Sequence, residues 1–104
     1  MHSNDAQMLV LTVLADGPRH GYAINSAIEA LTGRKLGPGS LYGALARLET
    51  RGLIQPFDHD GPAAGERQRT MQITDQGRDQ LRSELQEMAR VSAAGLLALG
   101  IAPA

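Results

Sequence analysis

Three glycines stand close together in the stretch LGPGSLYGALARLETRGLI, residues 36–54: Gly37, Gly39 and Gly43. Glycines at the head of a helical pattern can form a loop whose backbone N–H groups cradle a phosphate. The same small residues can instead let a helix lie close to a nucleic-acid backbone. A dinucleotide-binding turn needs a buried strand before the glycines, a helix after them and an acidic residue about 20 positions on. Here a helical segment and a turn precede them, Pro38 removes one of the donors a phosphate would use, and no Gly-Lys-Ser/Thr follows. The nucleotide-loop chemistry is therefore set aside. The segment still offers the hydroxyls of Ser40 and Tyr42, which can meet phosphates or base edges. Arg47 lies farther from the helix start, as a nucleic-acid contact or as a solvated or acid-paired side chain.

Other chemistries find little support. His2, His20 and His59 lack the spacing of metal ligands and the chain has no cysteine, so neither a metal site nor a cofactor is expected. His20 reads as a helix-capping or phosphate-facing residue. No Gly-x-Ser-x-Gly and no Ser-His-Asp signature appears, so the chain reads as a non-enzyme. The acidic residues Asp75, Asp79, Glu84 and Glu87 read as a solvated helix face.

The elements that would carry these residues can be traced along the chain. Asn4 and Gln7 have capping-box spacing before AQMLVLTVLA, a helix apolar almost all round and so buried on more than one side, with a second subunit as the expected cover. Asp16-Gly17-Pro18 ends it. Residues 20–31 form a second helix with Ile24, Ala27, Ile28 and Leu31 on the buried face, ended by Gly33. Pro38 starts a third, with Leu41, Ala44, Leu45 and Leu48 inward and Ser40, Tyr42, Gly43 and Arg47 off that stripe. Residues 53–57 and 67–73 read as two strands around a Gly/Pro/Ala-rich tip. Arg67 and Arg69 then alternate onto one face of the second strand, where both could meet a DNA backbone. Thr74 caps a fourth helix with an apolar seam of Leu81, Leu85, Met88 and Val91. Running to about residue 98, it would be roughly 36 Å long. No helix of the chain remains to cover that length, which points to pairing with another chain. The tail from Gly100 is expected to fray.

Helix, turn, helix and hairpin is the order of a winged helix-turn-helix, a mainly α fold with a small β-hairpin. Its third helix would enter the major groove by its N-terminal half, where Gly39, Ser40 and Gly43 allow close approach. With 104 residues there is one domain, divided here into a winged region (1–73) and a C-terminal helix with its tail (74–104). Aromatics are 3 % with no Trp, so the core must come from aliphatic residues. A formal net charge of −1 argues against nucleic acid, but residues 33–70 carry six basic against four acidic residues while both flanks are acidic. The apolar run from Met8 to Ala15 is too short to span a membrane and nothing resembles a signal peptide, so no membrane partner and a cytoplasmic location are expected.

Three motifs, HGY at 20–22, GSLYGALARLETRGLI at 39–54 and ITDQG at 73–77, together resemble the PadR family of bacterial transcriptional regulators over about residues 8–80. The resemblance implies a homodimer formed through the C-terminal helix and a double-stranded DNA operator as partner. It implies repression of promoters, relieved in many members by a small aromatic or hydrophobic effector. It implies a phosphate contact for Tyr22, against the plainer reading of a half-buried tyrosine at a helix start. A two-fold dimer calls for a roughly palindromic operator with half-sites about 10 bp apart. Leu9, Val13, Met88 and Ser92 are candidate lining for an effector cavity between the first and fourth helices. Thr70 and Met71 stand where family wings usually carry aromatics, and the last helix has no Trp, which argues against a flat, stacked effector. The competing reading is a protein-interaction module on a winged-helix scaffold, favoured by the acidic net charge.

Overall fold

The computed structural model describes residues 3–57 and 69–101. Its elements run α1 (Ser3–Leu14), β1 (Arg19–His20), α2 (Gly21–Thr32), α3 (Pro38–Thr50), β2 (Ile54–Pro56), β3 (Thr70–Ile73) and α4 (Asp75–Ala98). The expected order of helices and hairpin is met, and the sheet has one strand more than expected. Arg19 and His20 pair antiparallel with Met71 and Thr70, giving a three-stranded sheet of order β1-β3-β2. On the other side of β3, Ile54 faces Ile73 and Pro56 faces Met71. β2 therefore ends at a residue with no N–H to donate.

α1 is the centre of the fold. Val10, Leu11, Val13 and Leu14 are buried, and the helix packs against α2, α3, β3 and α4 of its own chain. Its apolar circumference is thus covered largely from within, where a second subunit was expected; Met8 and Leu9 are left half-buried. α1 begins at Ser3, so Asn4 lies inside its first turn rather than capping it, and the Asn4 side chain is outside the described residues. Gln7 is buried and accepts a hydrogen bond from the Arg51 guanidinium instead of completing a capping box. At the other end, Arg19 Nε donates to the Val13 carbonyl (3.1 Å) and Arg78 Nη1 to that of Ala15 (3.2 Å), placing positive charge where the helix dipole is negative.

Ile24 and Ile28 of α2 are fully buried, whereas Leu31 is 58 % exposed against expectation. Its neighbours across the groove are Thr12 and Val13, in the last turn of α1, and α1 stops at Leu14, which leaves Leu31 at the rim. In α3, Leu41, Ala44 and Leu48 are buried and Leu45 half-buried.

α3 stops in a Schellman motif. Leu53 N–H donates to Leu48 O (2.9 Å), Gly52 N–H donates to Glu49 O (3.0 Å), and Gly52 has φ +74°. An L side chain would strain that backbone, and the turn delivers Leu53 and Ile54 directly into the core. α4 begins with Thr74 as its cap, Oγ1 accepting from Gly77 N–H at 3.0 Å. Its far end closes the same way, with Gly100 N–H on Leu97 O and Ile101 N–H on Leu96 O, so these two residues are held rather than frayed.

Leu81 of the α4 seam is buried, but Met88 is 46 % and Val91 67 % exposed. Beyond its first two turns the helix leaves the core with its apolar seam uncovered. Among the described residues no helix is long and apolar enough to cross a membrane.

Candidate nucleic-acid interface

The N-termini of α2 and α3 meet at one surface. His20 is the N-cap of α2, its Nδ1 accepting from Ala23 N–H at 3.2 Å. That bond fixes the imidazole, whose ring lies 6.5 Å from that of Tyr22 at an interplanar angle of 28°. Tyr22 is 69 % exposed, so it is presented to solvent rather than half-buried. Lys35 Nζ sits 5.5 Å from the Tyr22 ring centroid, within cation–π range.

Lys35 belongs to the turn between the two helices, and Asn25 holds that turn. Its Nδ2 donates to Leu36 O and its Oδ1 accepts from Leu36 N–H, both at 2.8 Å. The side chain copies a β-bridge and satisfies both backbone groups of Leu36. Sequence reasoning passed over both residues. The available signals were modest: Lys35 is the chain's lone lysine, just ahead of the α3 cap, and Asn25 is a polar residue beside the buried Ile24.

At the head of α3, Gly37 is the N-cap, Pro38 opens the helix, and Gly39 and Ser40 are exposed. Tyr42 is half-buried because its ring lies over Gly21. A Cβ at Gly21 would stand 3.2 Å from the Tyr42 hydroxyl oxygen and 3.4 Å from its Cε1. The glycine of the His-Gly-Tyr motif is therefore the seat of the tyrosine of the third helix. Gly21, Tyr22, Asn25, Lys35, Pro38 and Tyr42 border a groove of about 240 Å³. Its polar groups are hydroxyls, an amide and one ammonium, and two helix N-termini adjoin it. Such a surface suits anionic phosphate oxygens.

Arg47 is exposed on α3, with its Nη1 lying back near Gly43. Arg69 immediately precedes β3 instead of lying within it, and its guanidinium is 3.6 Å from Glu49 on α3. The expected alternation of Arg67 and Arg69 along one strand face is not what Arg69 does, because regular pairing with β2 starts only at Met71; Arg67 and His59 lie outside the described residues. An ion pair as exposed as Arg69–Glu49 is worth about 0–1 kcal/mol, so a phosphate could compete for the arginine.

The four candidate effector residues are not gathered in one place. Val13 is buried and borders a depression with Ala27 and Leu31, while Met88 borders another with Met8, Val91, Asp5, Glu84 and Glu87. Leu9 is half-buried and Ser92 exposed. Among the described residues no three of His, Asp and Glu are grouped so as to hold a metal ion.

Residues 10–83 match the Transcriptional regulator PadR-like family. The chain is 58 % identical over 92 residues to an uncharacterized 37.1 kDa protein in transposon TN4556 of Streptomyces fradiae; the match covers 88 % of this chain, which spans a quarter (25 %) of that relative's length. A transcriptional regulator from Clostridium thermocellum is similar in structure, with TM-score 0.70 and 26 % identity over 86 % of this chain and 84 % of that one. RosR of H. salinarum gives TM-score 0.66 and 25 % identity over 89 % and 88 %. A PadR family transcription regulator from Clostridium difficile shares the fold at TM-score 0.74, with 24 % identity over 90 % and 97 %. With the family's motifs placed on a helix-turn-helix and wing, and with the match running from inside α1 into α4, this chain belongs to the PadR-like family of transcriptional regulators.

Proposed function

We propose that the chain is the DNA-reading part of a dimeric, sequence-specific transcriptional regulator, a repressor whose α3 enters the major groove. The observation that carries this is the surface where α2 and α3 begin: exposed Gly39 and Ser40, with Tyr22, Lys35 and Tyr42 around a groove free of acidic side chains. Phosphate contacts from Tyr22, Lys35 and His20 would orient the head, and α3 would read bases. Arg67 and Arg69 of the wing would add backbone contacts.

The uncovered seam of α4, with Leu85, Met88 and Val91, supports a homodimer. Two heads related by a two-fold would then meet a roughly palindromic operator with half-sites about 10 bp apart. A small effector near the dimer axis would meet, in the depression between α1 and α4, the apolar Met8, Met88 and Val91 together with the carboxylates of Asp5, Glu84 and Glu87. By changing the angle between the two heads, such a ligand would spoil the half-site spacing and release the DNA.

Fluorescence anisotropy tests the proposal, with labelled duplex from upstream of the chain's own gene, a scrambled duplex and two salt concentrations. Tighter, salt-sensitive binding to the upstream duplex is expected. Equal weak binding to both duplexes, unmoved by salt, would sink it in favour of a protein-interaction role.

A further inference from the structure

We infer that Arg47 reads a guanine in the major groove and that Gly43 sets the position of its guanidinium. The inference rests on the DNA-reading proposal and adds to it the residue and the base.

Five of the chain's nine arginines are engaged, and of the others Arg47 is the one on α3. Arg51 donates to Gln7, Arg69 pairs with Glu49, Arg82 with Asp79, Arg19 with Asp16 and the Val13 carbonyl, and Arg78 holds the Ala15 carbonyl. Arg47 has no hydrogen-bond or ion-pair partner among the described residues, although Glu49 stands two residues along the same helix and Gln7 on the adjoining α1. Both of those acceptors are already taken. A guanidinium on the exposed side of the third helix is thus left with its donors unspent.

Its placement favours a base over a phosphate. Ser40, Gly43 and Arg47 follow one another at helical spacing of three and four residues and so share a face of α3. Helical side chains lean toward the N-terminus and cover the turn before their own Cα. Here the lean is visible: the Arg47 Nη1 lies 3.7 Å from where a Cβ on Gly43 would stand. The guanidinium therefore sits one turn nearer the groove-entering end than its place in the sequence implies. With no side chain at Gly43, it rests against the helix itself, displaced toward the N-terminal half of α3, the part of a recognition helix that contacts base edges. Backbone contacts are left to the hydroxyls and the ammonium at the helix starts. Of the four bases only guanine offers two adjacent acceptors, O6 and N7, in the major groove, and arginine's paired N–H groups match them.

The test selects binding sites for the wild-type protein from a random-sequence duplex pool. It then measures affinity for a panel carrying each single base-pair change in the selected half-site. A G·C pair is expected at which every substitution weakens wild-type binding by roughly 5- to 150-fold. Arg47→Ala should bind all four pairs at that position equally, keep its preferences elsewhere and keep the salt slope of the wild type. Gly43→Ala, whose methyl fits at ordinary contact distance, should preserve the preference; Gly43→Leu should lose it at the same position by displacing the guanidinium. Arg47 is exposed and Gly43 half-buried off the core stripe, and far-UV circular dichroism checks the folding of the variants. If Arg47→Ala weakens every duplex alike and flattens the salt slope, Arg47 is a phosphate contact and the inference fails while the DNA-reading proposal stands. If the wild type enriches no sequence from the pool, both fail together.

Discussion

Gly77, in the first turn of α4, lies hard against the carbonyl oxygen of Leu53, with no space between them for a methyl group. The same carbonyl accepts from Thr74 N–H at 3.0 Å, while the Thr74 hydroxyl donates to Gly52 O at 2.8 Å and accepts from Gly77 N–H at 3.0 Å. The end of the third helix, the start of the wing and the start of the fourth helix are tied at one point. The Thr-x-x-Gly spacing of the sequence is the footprint of that tie.

Gly77→Ala is expected to destabilise the protein by about 3 kcal/mol, because the clash is with backbone that cannot rotate away. Urea unfolding would show a lower midpoint with an unchanged m value. A midpoint equal to wild type would mean that the two segments are not in contact.

Thr74→Val keeps the shape of the side chain and removes both hydrogen bonds of its hydroxyl. A loss of about 1–2 kcal/mol is expected, and Thr74→Ser should recover most of it, since serine caps as well as threonine. The comparison of the two variants by thermal unfolding separates the hydroxyl from the methyl.

Asn25→Ala leaves the N–H and C=O of Leu36 without their partner and should cost about 1–2 kcal/mol. Its effect on DNA affinity should be larger than its effect on stability suggests, because Lys35 and the α3 cap both ride on that turn. About tenfold weaker binding is expected from anisotropy at a temperature where the variant is fully folded. Unchanged affinity would remove the turn from the interface.

Leu85→Glu combined with Val91→Glu should turn a dimer into a monomer, as read by sedimentation equilibrium, with helix content preserved. Neither residue is buried in its own chain, whereas Leu81, which is, remains untouched. A wild-type protein that sediments as a monomer at all concentrations would overturn the pairing of α4.

Much of this fold could be read from local signals. Gly33, Pro38 and Thr74 mark helix ends because their backbone or side-chain chemistry acts within a few residues, and each stands where it was expected. The Arg19–His20 strand escaped notice because two residues carry no periodicity; only the β3 edge beside them makes a strand of them. Leu31 followed the helical period correctly, but the period does not reveal that the neighbouring helix has already ended. The proposed interface was legible in Ser40 and Tyr42 as candidates. It was not legible in Lys35 and Asn25, whose parts depend on a contact across eleven residues between Asn25 and Leu36.

The short strand of Arg19 and His20 has a mechanical consequence. It hydrogen-bonds the residue that caps α2 to the central strand of the wing, so the wing and the start of the helix-turn-helix form one laminate. Flexing the wing independently would require peeling that edge and would unseat the His20 cap with it. In the proposed dimer each head would act as a stiff stylus, and control over what it writes would be exerted at the wrist, where α4 leaves the core.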